Sequence, residues 1–446
     1  MKGVYFVLEY DVVIVGACTS GTYFSSLLAK EGLKVLVIDK DSIEDLSKRL
    51  DIIHFTRDSY KEFDIEESVE GDEEFVQNFD LCVSKSALDN YPKKSFTKVS
   101  VLHLPLFIKR LRNKAISLGV DFKFNEEFES VTYDELNRIN GIKTKSGLEV
   151  RARLVVDASG IPSVVRRSIN DPYIEGFEIG PKDKFFVLLK YVELKDPSIK
   201  IDYSTSWPYY KGWIAPQHNK NGAIIGVGAS LSMEYAKKCM RKFEDNIKLV
   251  EYTLQYEEMG CTPYCRPPFS FVTDGFMVVG DAACLTNPFS GEGIVSGFRQ
   301  CTPAAKIIKE ALQDDNYATK ERLWEINLLY QRNEGALFAS QRALLVNAVD
   351  MSPSDNDFLF KNRIVFKSDD EEENTKIIRT LIKGVLNKEF SKAALISIIK
   401  GAINSKKIEK LYKKYPVNPI DYFKWKKKAD KLWKKIGTMA DKVKDA

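Results

Sequence analysis

Histidine is nearly missing from this chain, with three in 446 residues. Seven cysteines stand at 18, 82, 239, 261, 265, 284 and 301, and no two pairs have zinc spacing. With so few imidazoles and no paired thiols, no metal site is expected. An odd, scattered set also argues against a secreted disulfide scaffold. Cys261 and Cys265, four apart in a proline-rich stretch, read as reduced thiols of a cytoplasmic protein. A dominant charge is lacking too: 67 Lys and Arg against 63 Asp and Glu give +4, too balanced for a generic nucleic-acid binder. Nor is there a long apolar run. Residues 12–29 carry no charge, but Thr19, Ser20, Gly21, Thr22, Ser25 and Ser26 make them a poor membrane span. Glu9 and Asp11 interrupt any signal-peptide pattern.

What is present is ordinary globular composition, 44% apolar and 29% charged, at a length that suits two or three domains. The charge is unevenly spread. From Lys400 to Ala446, fifteen Lys face five acidic residues, a net of +10 that leaves −6 on the rest. A basic tail on a mildly acidic body suggests a docking surface near the C-terminus.

Residues 11–40 read as a buried strand at Val12–Val15, a glycine turn, a helix closed by Gly32, and a strand at Val35–Ile38, a βαβ opening. Residues 61–80 hold nine acidic residues and suggest a solvated excursion. An amphipathic helix is predicted over 105–118 and a strand near Val120–Phe124. Strand-turn-strand units follow, with turns at Asn140-Gly141 and Ser146-Gly147, up to a strand at Leu154–Val156. Residues 185–230 are strand-rich. A buried strand at Phe276–Val279 precedes a helix ending near Ala311, and the remainder reads as helical.

Three strand ends carry chemistry. The first is Gly16-Ala17-Cys18-Thr19-Ser20-Gly21, with Asp39 and Lys40 closing the next strand. Glycines at such a turn let backbone approach a pyrophosphate at a helix N-terminus, and an acidic residue about 20 positions on suits ribose hydroxyls. Cys18 replaces the middle glycine and crowds that approach. The second is Asp157-Ala158-Ser159-Gly160, with Arg166 further on. The third is Gly280-Asp281-Ala282-Ala283, followed by Asn287-Pro288-Phe289-Ser290-Gly291-Glu292-Gly293. There a carboxylate can meet a polyol, and a helix start can hold negative charge on a ring.

These elements, in this order, resemble the FAD-binding fold shared by aromatic hydroxylases, flavin halogenases and geranylgeranyl reductases. The sequence is most similar to the geranylgeranyl reductase family. Its lipid-site signature is matched by Tyr209-Tyr210-Lys211-Gly212-Trp213-Ile214-Ala215-Pro216 leading into Gly226-Val227-Gly228. The similarity continues through Gly260-Cys261-Thr262-Pro263 and the tail segment KIEKLYKKYPVNP. Three departures stand out. Ala215 replaces a phenylalanine of the signature. Ser159 stands where hydroxylases usually carry an acid. Asp51–Thr56 lacks the family's Pro-Cys-Gly.

The resemblance implies an α/β protein with a Rossmann-like FAD-binding domain of the glutathione-reductase/aromatic-hydroxylase type, a sheet-based substrate domain and a helical C-terminal region. The expected domains are 9–60, 98–170 and 267–315 for FAD, 61–97 and 171–266 for substrate, and 316–446 helical. It also implies FAD as cofactor, a polyprenyl lipid as substrate, an external electron donor, and no nucleic-acid partner. Gly16, Ser20, Gly21 and Asp39 would hold adenosine and pyrophosphate, Asp281 the ribitol, and Gly291, Glu292, Gly293 and Ile294 the isoalloxazine. Cys18, Thr19, Lys40, Ala158, Gly160, Gly280 and Pro288 complete the cofactor set. Tyr210, Trp213 and Pro216 would line the substrate channel, although aromatics in a strand-rich region also suit plain core. No catalytic acid or base is assigned. His54 and His103 read as satisfied or exposed polar residues.

Two other functions remain open on sequence: a flavin hydroxylase or halogenase of a small aromatic, or a non-enzymatic binding module derived from a flavoprotein. The tail also allows two readings. Tyr422, Trp425, Ala429, Leu432, Ile436, Met439 and Val443 recur at helical spacing among lysines. Such a helix suits the inner face of an anionic membrane, making the protein peripheral there, or it packs on the FAD domain as a closing helix.

Overall fold

Parallel strands whose residues are apolar on both faces dictate a sheet covered on both sides, and the first sheet is of that kind. The computed structural model describes the chain apart from residues 1–6, 47–51, 87, 89, 197, 199–202, 207–209, 218–221, 247–250, 349–350, 365–370 and 439–446. The eight strands of this sheet are β1 (Leu8–Val15), β2 (Val35–Ile38), β6 (Asp121–Lys123), β7 (Phe128–Tyr133), β8 (Ile139–Thr144), β9 (Glu149–Asp157), β15 (Val272–Thr273) and β16 (Phe276–Val278). Its spine runs β16-β9-β1-β2-β6, all parallel. Residues 12–15 and 35–38 are wholly buried, between α1 (Thr19–Lys30), α3 (Leu104–Ser117) and α6 (Ile294–Ala311).

The second sheet is β14-β10-β13-β12-β11-β4-β5-β3. Its strands are β3 (Ile52–Thr56), β4 (Phe75–Ser84), β5 (Lys93–His103), β10 (Lys184–Leu194), β11 (Tyr203–Ser206), β12 (Tyr210–Pro216), β13 (Gly222–Ala229) and β14 (Tyr252–Pro263). One face is covered by α5 (Met233–Asn246), whose Phe243 and Met240 pack on Leu188, Ile225 and Val227. The short helices α2 (Arg57–Glu62) and α4 (Val164–Ser168) follow β3 and β9. The C-terminal region comprises α7 (Lys320–Arg332), α8 (Glu334–Ala348), α9 (Pro353–Lys361), α10 (Glu371–Leu386), α11 (Lys392–Tyr412) and α12 (Tyr422–Ile436).

Four expectations change on contact with the structure. Strand pairing carries residues 52–56 and 98–103 into the second sheet, so seams drawn at 60 and 98 cut through it. The acidic stretch is solvated, with eight of its nine acidic residues exposed, but it is more than an excursion. Residues 75–80 enter β4, while Glu62, Asp64, Glu67 and Glu74 pair with Arg299, Lys30, Arg57 and Arg110. Asn140-Gly141 lies inside β8 and makes no turn. The chain reverses earlier because the Asp134 carboxylate accepts the N–H groups of Leu136 and Arg138 at 3.0 and 2.8 Å, closing a tighter loop.

The fourth change concerns the tail. Tyr422, Trp425, Ala429 and Ile436 are buried in the main core. Trp425 packs edge-on against Phe269 and Tyr412, and its Nε1–H donates to the Leu411 carbonyl at 2.9 Å. Trp433 donates to the Tyr412 hydroxyl. The stripe is therefore a closing helix and is not free to enter a bilayer. Met439 and Val443 lie outside the described residues.

Candidate functional site

A parallel sheet delivers the C-terminal ends of its strands to one edge, and the three glycine-rich segments follow Val15, Asp157 and Val278 at that edge. There they interlock. A Cβ on Gly16 (φ +114°) would lie 2.2 Å from the Ala158 carbonyl oxygen, and one on Gly21 would lie 1.9 Å from the Gly16 oxygen. Ser20 fills the space left by Gly280 (φ +61°) and Gly297, where added Cβ atoms would meet its Oγ at 2.6 and 2.7 Å. Asp39 ends β2 with its Oδ2 accepting the Ala17 N–H at 2.7 Å and its Oδ1 the Asp41 N–H at 3.0 Å. Lys40, beside it, pairs with Asp41. Thr19 is buried and Cys18 is exposed at the N-cap of α1. The Cys18 backbone is extended there, a conformation open to any residue.

The Asp157 segment is held from beneath. Asp157 is buried, and it accepts from the Ser159 hydroxyl at 2.6 Å and the Arg166 N–H at 2.7 Å. Burial pushes its carboxyl up, partly offset by those bonds. The guanidinium of Arg166, itself buried, donates to the carbonyls of Ala282, Glu175 and Phe177. Arg166 thus stitches the second strand end to the third, leaving Ala158 and Gly160 half-buried at the edge.

The third segment leaves one group without a protein donor. No hydrogen bond from the described residues reaches the Asp281 carboxylate, and burial raises its pKa to about 6. A Cβ on Gly293 would come within 3.1 Å of that carboxylate. The following loop is tied by Asn287, whose Oδ1 accepts the N–H groups of Phe289 and Ser290 at 2.8 and 3.1 Å. The Pro288 carbonyl accepts from the Tyr264 hydroxyl. Glu292 is exposed, whereas Gly291, Gly293 and Ile294 are half-buried where α6 begins. Neither α1 nor α6 has a side-chain cap or an acidic residue in its first turn, so the amides there are left for another acceptor.

The second sheet meets this edge through a residue that sequence reasoning passed over. Lys211, on β12, donates to the Ser290 carbonyl. Alternation along β12 places Trp213 and Ala215 on the face of Lys211, and Pro216 on the opposite pleat. Trp213 lies over Gly226, where a Cβ would sit 2.1 Å from the indole. It packs with Leu189, Tyr191 and Ile224. Tyr210 opens the strand, its side chain lying outside the described set.

His54, on β3, is neither lone nor free. Burial first, and then the Lys211 ammonium, hold its pKa down at about 4. An unfolded chain protonates histidine near 6.5, so folding stability should be full above that pH. It should fall as pH drops from 6.5 to 4, by up to about 3 kcal/mol. His54→Gln should flatten this limb in a plot of Tm against pH. No signal in the sequence relates His54 to Lys211, which stand on strands of one sheet with three others between them.

The donor set therefore suits a long, anionic, polyol-bearing ligand: free helix-start amides, close-packed glycines and an unpaired carboxylate. Residues 9–229 match the FAD binding domain family model. The chain is 24% identical to a digeranylgeranylglycerophospholipid reductase of Sulfolobus acidocaldarius, covering 95% of this chain and 97% of that protein. A second such reductase, from Methanococcoides burtonii, is 25% identical over 78% of this chain and 86% of its own. Among solved structures, a geranylgeranyl bacteriochlorophyll reductase-like protein from Thermoplasma acidophilum superimposes with a TM-score of 0.71 at 19% identity, covering 96% of this chain and all of that one. A flavin-dependent brominase shares the fold at a TM-score of 0.59 and 18% identity, over 90% of this chain and 99% of its own. Fold and site define an FAD-dependent oxidoreductase. Within that class the chain is similar to digeranylgeranylglycerophospholipid reductases.

Proposed function

We propose that this protein reduces carbon–carbon double bonds in the polyprenyl chains of a glycerophospholipid. The observation that carries this reading is the near-full-length similarity to the Sulfolobus reductase. An apolar sheet face beside the loop after Asp281 supports it. Bound FAD would supply the two-electron chemistry. The chain's part is to bind, orient and exclude water. Gly16, Ser20 and Gly21, with Asp39, hold the adenosine and pyrophosphate end. Asp281 accepts from ribitol hydroxyls, and Gly291 to Ile294 face the ring. Trp213, half-buried on the face that Lys211 shares, guides the prenyl chain toward that loop. In this division of labour the first sheet serves the cofactor and the second the lipid. Each double bond reduced consumes two electrons, which a separate donor must replace. Mass spectrometry of lipids that co-purify with the protein tests the substrate. Prenyl glycerophospholipids enriched over the host background support the reading, and their absence counts against it.

A lipid substrate needs a landing surface, and α12 cannot supply it. No helix among the described residues is long and apolar enough to cross a membrane. The outer faces of α10 and α11 are different: Ile378, Ile382, Leu386, Ile396, Ile399 and Ile403 are all exposed. Between Lys376 and Lys410 nine Lys and Arg accompany two Glu. Exposed isoleucines amid lysines suit an anionic bilayer surface. We expect sedimentation with anionic vesicles, weakened by salt, and little with neutral ones. Ile382→Glu combined with Ile399→Glu should abolish it at unchanged Tm. Equal sedimentation of the variant would remove this surface from the account.

A further inference from the structure

We propose that Cys265 and Cys284 form a reversible redox pair, oxidised to a disulfide by a low-molecular-weight disulfide that enters the cavity beside Cys265. The two thiols touch, Sγ to Sγ, at 3.4 Å. They lie nineteen positions apart in the chain and belong to different parts of the fold. Cys265 lies just past the end of β14 in the second sheet, while Cys284 directly follows Gly280–Ala283 at the cofactor edge. Cys284 is fully buried, and Cys265 is partly accessible. Cys265 lines a cavity of about 600 Å³ bordered by Lys182, Arg266, Arg342 and Lys434, and by the carboxylates Glu178 and Asp183. Both signs of charge on its wall suit a disulfide with amino-acid ends.

An accessible thiol backed by a buried one is the arrangement of an attacking and a resolving cysteine. The electrostatics run the same way. Contact with Cys284 lowers the Cys265 thiol, helped by Arg342 and Arg266 against burial and Asp183. Contact with Cys265, burial and Asp281 raise Cys284, with Arg166 opposing. In the first step the Cys265 thiolate attacks one sulfur of the disulfide RSSR. A Cys265–S–S–R bond forms and RS⁻ leaves, taking up a proton as RSH. In the second, Cys284 gives up its proton and attacks the Cys265 sulfur, expelling the second RS⁻, which is also protonated. Two thiols are oxidised, one disulfide is reduced to two RSH, and the balance closes. The bond would tie the second sheet to the segment bearing Asp281, three residues away. Disulfides of this kind in a reducing compartment are transient and regulatory.

The test is oxidised glutathione added to the full-length protein, followed by alkylation and chymotryptic digestion. Cleavage after Tyr264 separates Cys261 from Cys265, which trypsin does not, because no Lys or Arg lies between them. We expect a linked pair of peptides holding Cys265 and Cys284, lighter by two hydrogens than their sum and restored by dithiothreitol. Cys284→Ser should instead accumulate the glutathione adduct on Cys265, and Cys265→Ser should give neither product. Absence of the link in wild-type protein overturns the proposal, whatever the variants do. So does glutathionylation confined to the exposed Cys18 or Cys261.

Discussion

Gly21→Ala should yield a chain that retains no flavin and melts well below the parent. The new methyl would sit 1.9 Å from the Gly16 carbonyl oxygen and 3.1 Å from the Ala158 Cβ. The first of these neighbours is backbone and cannot rotate away. Relief requires α1 to move off the ends of β1 and β9, which opens the turn whose amides would hold the pyrophosphate. Overpacking against rigid neighbours costs about 1–3 kcal/mol, and more where backbone must shift. The readouts are the flavin-to-protein absorbance ratio after purification and the Tm, and both should fall. A yellow protein of unchanged Tm would mean that α1 approaches β1 less closely than described.

Asp281→Ala should separate those two readouts. Loss of the proposed charge-assisted hydrogen bond to the ribitol would forfeit about 1.5–3 kcal/mol, or about ten- to a hundred-fold in FAD Kd. The apoprotein should move the other way. Burial raises the Asp281 pKa from 3.8 to about 6, so the folded apoprotein favours the protonated acid. Its contribution is most favourable below 3.8 and is lost as pH rises through 6. Alanine removes that penalty, so the apo variant should melt above apo wild type at pH 8, with the gap closing below pH 4. Full flavin retention in the folded variant would mean that the Gly280–Asp281 segment has another role.

The parts legible in sequence are those set by contacts close along the chain. The glycines at 16 and 21, the helix to Lys30, the strand at 35–38 and Asp39 follow within one βαβ unit, where apolar periodicity and turn chemistry agree. The second sheet is harder to read because its order is non-local. β4 pairs with β11 more than a hundred residues away, and its first half hides within an acidic stretch whose charges are answered by Arg299 and Arg110. The same holds for α12. Spacing alone makes Tyr422 and Trp425 a stripe, but only tertiary packing supplies Phe269, Trp324 and Tyr415 to cover it. Lys211 escaped notice because it sits inside an aromatic segment, and the Ser290 carbonyl it reaches is far along the chain.

The central claim is tested most directly by one anaerobic turnover. The holoprotein, reduced with dithionite and freed of excess reductant, is mixed with digeranylgeranylglycerophospholipid in anionic vesicles while its visible absorbance is followed. Lipid is then extracted for mass spectrometry. The account predicts that the oxidised flavin spectrum returns in step with lipid that has gained two hydrogens per double bond reduced. Flavin that stays reduced in contact with the lipid, with the lipid mass unchanged, would contradict it.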